Sequence, residues 1–241
     1  MKKIIYLVIA LLMINILSAQ NKKLTLYYPD STKIVNIAGL DSLVIFICSA
    51  SQVHYGGKAY NTVLIGEQCW LKENLDVGTR INGDSNASNN GVIEKYCYDD
   101  DTANCTTYGG LYQWNEAMQY ITDEGTQGIC PSGWHIPTLA EFQTLAVTVG
   151  NDVNTLKAIG QGSDGGAGTN TSGFSGLLAG YWDRNGYFLY LGNYADFWIS
   201  TEIINTGNAY YLYLYYNYTN SLFGPNGYYK ETGFSVRCVK D

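Results

Sequence analysis

The chain has 241 residues, with 14 lysines and arginines against 21 aspartates and glutamates and a formal net charge of −7. This acidic balance excludes the basic footprint that nucleic acid or an anionic membrane surface requires. Twenty-seven glycines and 22 tyrosines against three methionines argue against a helical bundle and for strands, turns and long surface loops.

Lys2 and Lys3, the apolar run Ile4 to Leu17 and the small-residue site Ser18-Ala19-Gln20 read as a signal peptide over residues 1–19. The run is short of the roughly 20 residues a membrane span needs, and no second run follows. No cysteine follows it closely, so no lipid anchor is expected. Removing residues 1–19 takes away two lysines and no acids, leaving 12 basic and 21 acidic residues, a net charge of −9. The expected location is outside the cytoplasm: periplasmic, cell-surface or extracellular. No membrane span is expected after cleavage.

Residues 20–47 read as a short N-terminal β-hairpin module. Leu24 to Tyr28 is one strand, Pro29-Asp30-Ser31 a turn, Lys33 to Ile37 a second strand, and Asp41 to Phe46 a third apolar run. From residue 48 onwards about 190 residues remain, enough for one domain with a real core. Gly57 to Gly66 alternates as a strand ended by glycine. Leu111, Trp114, Ala117, Met118 and Ile121 are spaced mostly three and four apart, which predicts an amphipathic helix over 111–121.

Thr138 with Glu141 forms a capping box ahead of Phe142 and Leu145, which predicts a second helix from Thr138 to about Val149. Asn151 to Ile159 reads as a shorter third, followed by a glycine-rich loop from Gly160 to Gly176. After Phe174 the pattern is short strands and turns. Asp183-Arg184-Asn185-Gly186 is a hairpin turn. Along 209–219, Leu212 and Leu214 point one way and Tyr211, Tyr213 and Tyr215 the other. Pro225-Asn226-Gly227 precedes a last strand at Gly233 to Val239.

Six cysteines, Cys48, Cys69, Cys97, Cys105, Cys130 and Cys238, read as disulfides in an exported chain, although six permit fifteen pairings. Zinc is disfavoured: no C-x-x-C occurs, and His54 and His135 lie far apart. Cys97 and Cys105 bracket a short acidic loop and would close it locally.

A family resemblance rests on motifs in a fixed order: TVLIGEQCWLKENL at 62–75, Tyr96-Cys97-Tyr98-Asp99-Asp100-Asp101 through Asn104-Cys105, and Tyr108 to Trp114. Then come CPSGWHIPT at 130–138, Gly173-Phe174-Ser175, Gly180-Tyr181, Phe197 to Glu202, and GFSVRCVKD at 233–241. Over roughly residues 48–241 the chain resembles the Fibrobacter succinogenes major paralogous domain of exported Bacteroidetes-type proteins. The resemblance implies an α+β, C-type-lectin-like fold with two main helices and short antiparallel strands, in which Cys130 is bridged to Cys238. Cys97–Cys105 and Cys48–Cys69 complete that set. Pairing of Cys69 with Cys130 or Cys238 remains open, because spacing does not fix connectivity.

Asp99, Asp100 and Asp101 are the weak calcium candidates, since converging carboxylates hold that ion. The run lacks the spacing of an EF-hand loop, and a solvated acidic turn is the plainer expectation, so no cofactor is assigned. The Glu-Pro-Asn or Gln-Pro-Asp triplet of calcium-dependent lectins does not occur. Catalysis has little to rest on. His135 sits in a structural motif, no serine elbow occurs, and pairing Glu202 with Asp196 as glycosidase-like acids is not established by spacing.

The tyrosine stretch offers rigid amphipathic contact area. The ligand-contact candidates are Trp182, Glu202, Asn208, Tyr211, Tyr213 and Tyr215, with Trp198 expected in the core. The expectation is a secreted or cell-surface, non-catalytic module that binds an extracellular polysaccharide or a protein surface through glycine- and tyrosine-rich loops. A structural or adhesion component of the cell envelope is the alternative, and an enzyme the third choice.

Overall fold

The structure is a computed structural model, which describes residues 23–28, 31–36, 46–219 and 227–241. The chain divides into two compact units between Ile45 and Phe46. In the first unit, β1 (Lys23–Tyr28) and β2 (Ser31–Asn36) pair antiparallel, with Tyr28 opposite Ser31 at the turn. The signal segment, residues 41–45 of the expected run Asp41 to Phe46, and residues 29–30 and 225–226 of the two expected turns lie outside the described residues. Among those described, no helix is long and apolar enough to cross a membrane.

The second unit is an α+β domain organised by its last ten residues. One antiparallel sheet has the order β3 (Gln52–Tyr55), β4 (Lys58–Ile65), β5 (Gln68–Leu71), β14 (Val239–Lys240) and β8 (Trp134–His135). Strand β14 thus lies between the first strands of the domain and its middle. The preceding residues reach three further segments: Gly233 bridges Trp182, Phe234 bridges Tyr112, and Ser235 bridges Phe197. Non-local pairing of this kind places the final strand at the centre, where a disulfide can hold it.

A second antiparallel sheet comprises β11 (Tyr194–Ile203), β12 (Asn208–Tyr215) and β13 (Tyr228–Tyr229). Period-two alternation gives it two unlike faces. Ala195, Phe197, Ile199, Leu212 and Leu214 enter the core with Trp70, Phe142 and Phe174. Tyr194, Asp196 and Trp198 lie on the other face, opposite Tyr215, Tyr213 and Tyr211. Smaller pairs complete the domain: β6 (Thr79–Arg80) with β7 (Glu94–Lys95), and β9 (Tyr181–Trp182) with β10 (Phe188–Leu189) around the Asp183–Gly186 turn.

The helices differ from the sequence pattern in instructive ways. The helix α3 (Leu139–Thr148) forms as expected: the Thr138 side chain accepts from the Glu141 N–H, and the Glu141 carboxylate accepts from the Thr138 N–H. Leu139 N–H finds Thr201 Oγ1 at 3.0 Å, so β11 satisfies another N-terminal donor. The stretch 111–121, by contrast, is helical only over α2 (Trp114–Ala117). Leu111 and Tyr112 commit their backbone groups to Tyr96 and Phe234, and Gln119 and Tyr120 take positive φ. The apolar spacing there records burial, not helix length. The expected helix at 151–159 is a single 3-10 turn, Val153–Thr155. The acidic loop is in part α1 (Thr102–Tyr108), capped by Asp101.

Three disulfides join Cys48–Cys69, Cys97–Cys105 and Cys130–Cys238, with no free cysteine among the described residues. The last closes a 108-residue separation, worth on the order of 4–5 kcal/mol in the chain-entropy picture. Beside it, Arg237 is wholly buried. Its guanidinium donates to Leu71 O at 3.1 Å and Phe174 O at 2.6 Å, and bonds Asn74 Oδ1. Burial lowers its pKa to about 9.

Candidate functional site

The face of β11 and β12 opposite Phe197 and Leu212 carries the most concentrated chemistry in the domain, and it packs on a second core, in which Trp198 and Phe234 are buried and Tyr181, Tyr211 and Tyr228 are partly buried against them. Seven tyrosines form an arc there. Ring centroids step from Tyr215 to Tyr194 (4.5 Å), Tyr190 (5.1 Å), Tyr181 (5.7 Å), Tyr228 (6.1 Å), Tyr211 (5.7 Å) and Tyr213 (5.8 Å). Tyr211 and Tyr228 rest on Phe234, itself fixed by its bridge to Tyr112. Most of these rings are half-buried, and Tyr190 is 50% exposed.

Asp196 sits on this face, directly across from Tyr213 and two residues from Tyr194. It is 3% exposed, and its electrostatic influence falls on Tyr181, Tyr194 and Tyr211. Among the described residues no donor bonds its carboxylate; only its backbone carbonyl is engaged, accepting from Ser235 N–H at 2.9 Å. Burial alone pushes the carboxyl up to about 8. The phenols of Tyr181 and Tyr211 are also raised, chiefly by burial, and that of Tyr194 is raised to about 12 by burial and then by Tyr215. At neutral pH the arc therefore presents hydroxyl donors and ring faces around one buried acid.

Of the residues singled out in the sequence, Tyr211, Tyr213 and Tyr215 belong to this face. Trp182 does not offer a ring to a ligand. It is 2% exposed, its indole stacks on Tyr96 with centroids 4.0 Å apart, and its Nε1 donates to Gly83 O at 2.9 Å. The backbone bridge to Gly233 turns it inward. Trp198 is fully buried, as expected. Glu202 pairs with Lys230, whose ammonium lies 4.1 Å from the Trp114 ring centroid, so the structure gives it a cation in place of a second acid. Asn208 is half-buried at the start of β12, opposite Ile203 and Tyr229.

The three consecutive aspartates are divided among separate tasks. Asp100 accepts from Gly83 N–H at 3.0 Å and pairs with Arg80 at 3.2 Å, while Asp101 caps α1. Among the described residues, no group of three His, Cys, Asp or Glu side chains is placed to hold a metal ion. His135, between Trp134 and Ile136, is clamped by Asp241 at 2.7 Å and Glu141 at 2.9 Å. The bond to Glu141 raises its pKa, against burial and with help from Asp241.

The family model of the Fibrobacter succinogenes major domain matches residues 63–240. The chain belongs to that family. No curated protein and no solved structure matches it. The Fibrobacter succinogenes major domain match takes in both faces of β11 and β12, all seven tyrosines and Asp196, and excludes the N-terminal hairpin.

Three of the seven tyrosines, Tyr211, Tyr213 and Tyr215, were legible as site candidates in the sequence, and four were not. Tyr181, Tyr190, Tyr194 and Tyr228 come from separate turns and strands, and only the fold brings them together. Asp196 was visible as an acid, but not as an unpaired one. The available signal was its position in Tyr194-Ala195-Asp196-Phe197-Trp198, a charged residue at period two between two aromatic side chains.

Proposed function

We propose that this chain is an exported, disulfide-stapled binding module, built on a C-type-lectin-like scaffold, that recognises an extracellular glycan or protein surface without catalysis. The observation that carries the reading is the tyrosine arc of β11 and β12. Tyrosine supplies large, stiff contact area with a polar tip, which suits stacking on sugar rings and hydroxyl exchange at a surface. The scaffold assignment is supported by the bridge from Cys130 to the last strand and by the helix–strand–strand order that follows it. Three disulfides accord with export, since such bonds persist in oxidising compartments.

A structural or adhesion role is favoured by one observation: several of these rings pack on one another and on Phe234. The two readings separate on Tyr213, whose ring contacts only that of Tyr211 among the aromatic side chains of the described residues. The test is a panel of extracellular polysaccharides and intact cells, run with and without a calcium chelator. A binding module gives saturable affinity that falls at least tenfold in Tyr213→Ala while the melting temperature barely moves. No binding in either arm refutes the module.

A further inference from the structure

The Asp196 carboxylate stands out because no donor among the described residues bonds it, while its side chain keeps a slight opening to solvent. A buried carboxylate is ordinarily paired or hydrogen-bonded, and leaving one without a donor is costly. Asparagine or threonine would fill the same strand position at lower cost if packing were all that mattered. The six residues most concerned, Tyr181, Tyr194, Tyr211, Tyr213, Tyr215 and Asp196, offer ring faces, phenol hydroxyls and one buried carboxyl group that can ionise against a bound cation, and no cation of their own. Ring faces attract cations through the aromatic quadrupole. A ligand that completes this set carries positive charge on a body able to stack and exchange hydroxyl hydrogen bonds.

We propose that the tyrosine face binds a sugar bearing a free ammonium group, a de-N-acetylated amino sugar, with that ammonium seated on the Asp196 carboxylate. The inference rests on the binding-module reading and specifies its ligand class. A pyranose ring stacks on the phenol rings, and its hydroxyls meet theirs. The ammonium supplies the missing counter-charge, while an acetylated nitrogen would leave the acid unanswered. The acidic net charge, −7 over the full chain, favours the approach of a cationic polymer. Because burial holds the free carboxyl up to about 8, seating an ammonium at pH 6 requires the acid to ionise. Binding should therefore release a proton. The titratable groups facing that acid are Tyr181, Tyr194 and Tyr211, whose pKa values all lie far above pH 6.

The test titrates the full exported chain, disulfides intact, with a β-1,4-linked glucosamine hexamer and with its fully N-acetylated counterpart. Calorimetry at pH 6 in two buffers of different ionisation enthalpy reads affinity and proton release together. Salt at about 0.5 M screens attraction due to net charge alone. The expected result is at least tenfold preference for the free amine, release of close to one proton, and loss of both in Asp196→Asn. Equal affinity for the two oligomers, amine binding that survives Asp196→Asn, or no amine binding overturns the proposal. If the polysaccharide and cell panel still shows binding that depends on Tyr213, the module reading survives that failure. If the panel is blank as well, both fall.

Discussion

Replacing Asp196 by asparagine should change how stability depends on pH. In the unfolded chain this carboxyl ionises near its ordinary 3.8, and in the folded chain burial pushes it up to about 8. Between those values the folded state holds a proton that the unfolded state has released. Stability from this group is therefore fully present below about pH 4 and is lost as pH rises through about 8. Four units at about 1.4 kcal/mol each set a ceiling of roughly 5–6 kcal/mol. Water reaching a side chain that retains slight exposure reduces this, so a loss of ~2–4 kcal/mol is expected. Asparagine keeps the shape and cannot ionise.

The assay is urea unfolding at pH 4.5 and pH 8.5 under non-reducing conditions, for the wild type and Asp196→Asn. Other groups, His135 among them, titrate in the same window, and the difference between the two proteins cancels them. The variant should match the wild type within about 1 kcal/mol at pH 4.5 and exceed it by about 2 kcal/mol or more at pH 8.5, in proportion to the lost proton linkage. Identical pH dependence in the two proteins would refute the burial and isolation assigned to Asp196.

Cys130→Ser should impair folding and secretion, because it opens the longest disulfide loop and leaves β14 without its covalent anchor; a loss of on the order of 4 kcal/mol would appear as a sharp fall in yield and melting temperature. His135, raised by Glu141 and Asp241, stabilises most below pH 6.5, and that contribution is lost as pH rises through its folded value. His135→Gln should therefore cost more at pH 5.5 than at pH 8.5 in paired melting curves. Lys157 is wholly buried, with its ammonium on the carbonyls of Gly166, Tyr215 and Tyr218, and it ties the glycine-rich loop to the end of β12. Lys157→Met should cost roughly 1–3 kcal/mol by orphaning those carbonyls, and hydrogen exchange should quicken across 160–170. Gly166 allows that closeness, since a Cβ there would lie 2.3 Å from Tyr216 O.

Much of the fold was legible where chemistry is local. The Thr138–Glu141 capping box located α3, the Asp183–Gly186 turn located a hairpin, and Leu212 and Leu214 identified the buried side of β12. Cys97–Cys105 was legible as a local bridge, and with Cys130–Cys238 as the long-range staple Cys48–Cys69 followed by elimination. Elements that depend on distant partners were not legible. Leu111 to Ile121 has helical spacing because its residues face a core, yet its first two residues pair with strands far away in sequence. Thr102 to Tyr108 shows no apolar stripe and is helical through its cap and the Cys97–Cys105 bridge.

The site was half legible for the same reason. Alternation on β12 exposed its tyrosines as a set. Strand β11 is buried on both faces, so its sequence carries no polar–apolar rhythm to show which way Asp196 points. Trp182, an aromatic beside a turn, looked like a surface platform, and a single backbone bridge to Gly233 puts it inside. The glycine-rich loop was expected to share in binding, and Lys157 ties it to the end of β12.

The tyrosine face of β11 and β12 is proposed as the working surface of the domain. The most direct measurement compares binding of the wild type, Tyr213→Ala and Val147→Ser to the same polysaccharide and cell-surface panel. Val147 is 73% exposed on α3, so its substitution serves as a surface control. Saturable binding, retained by Val147→Ser and reduced at least tenfold by Tyr213→Ala with both variants folded, is the expected result. Binding that is unchanged in Tyr213→Ala, or no binding by any of the three, would contradict it.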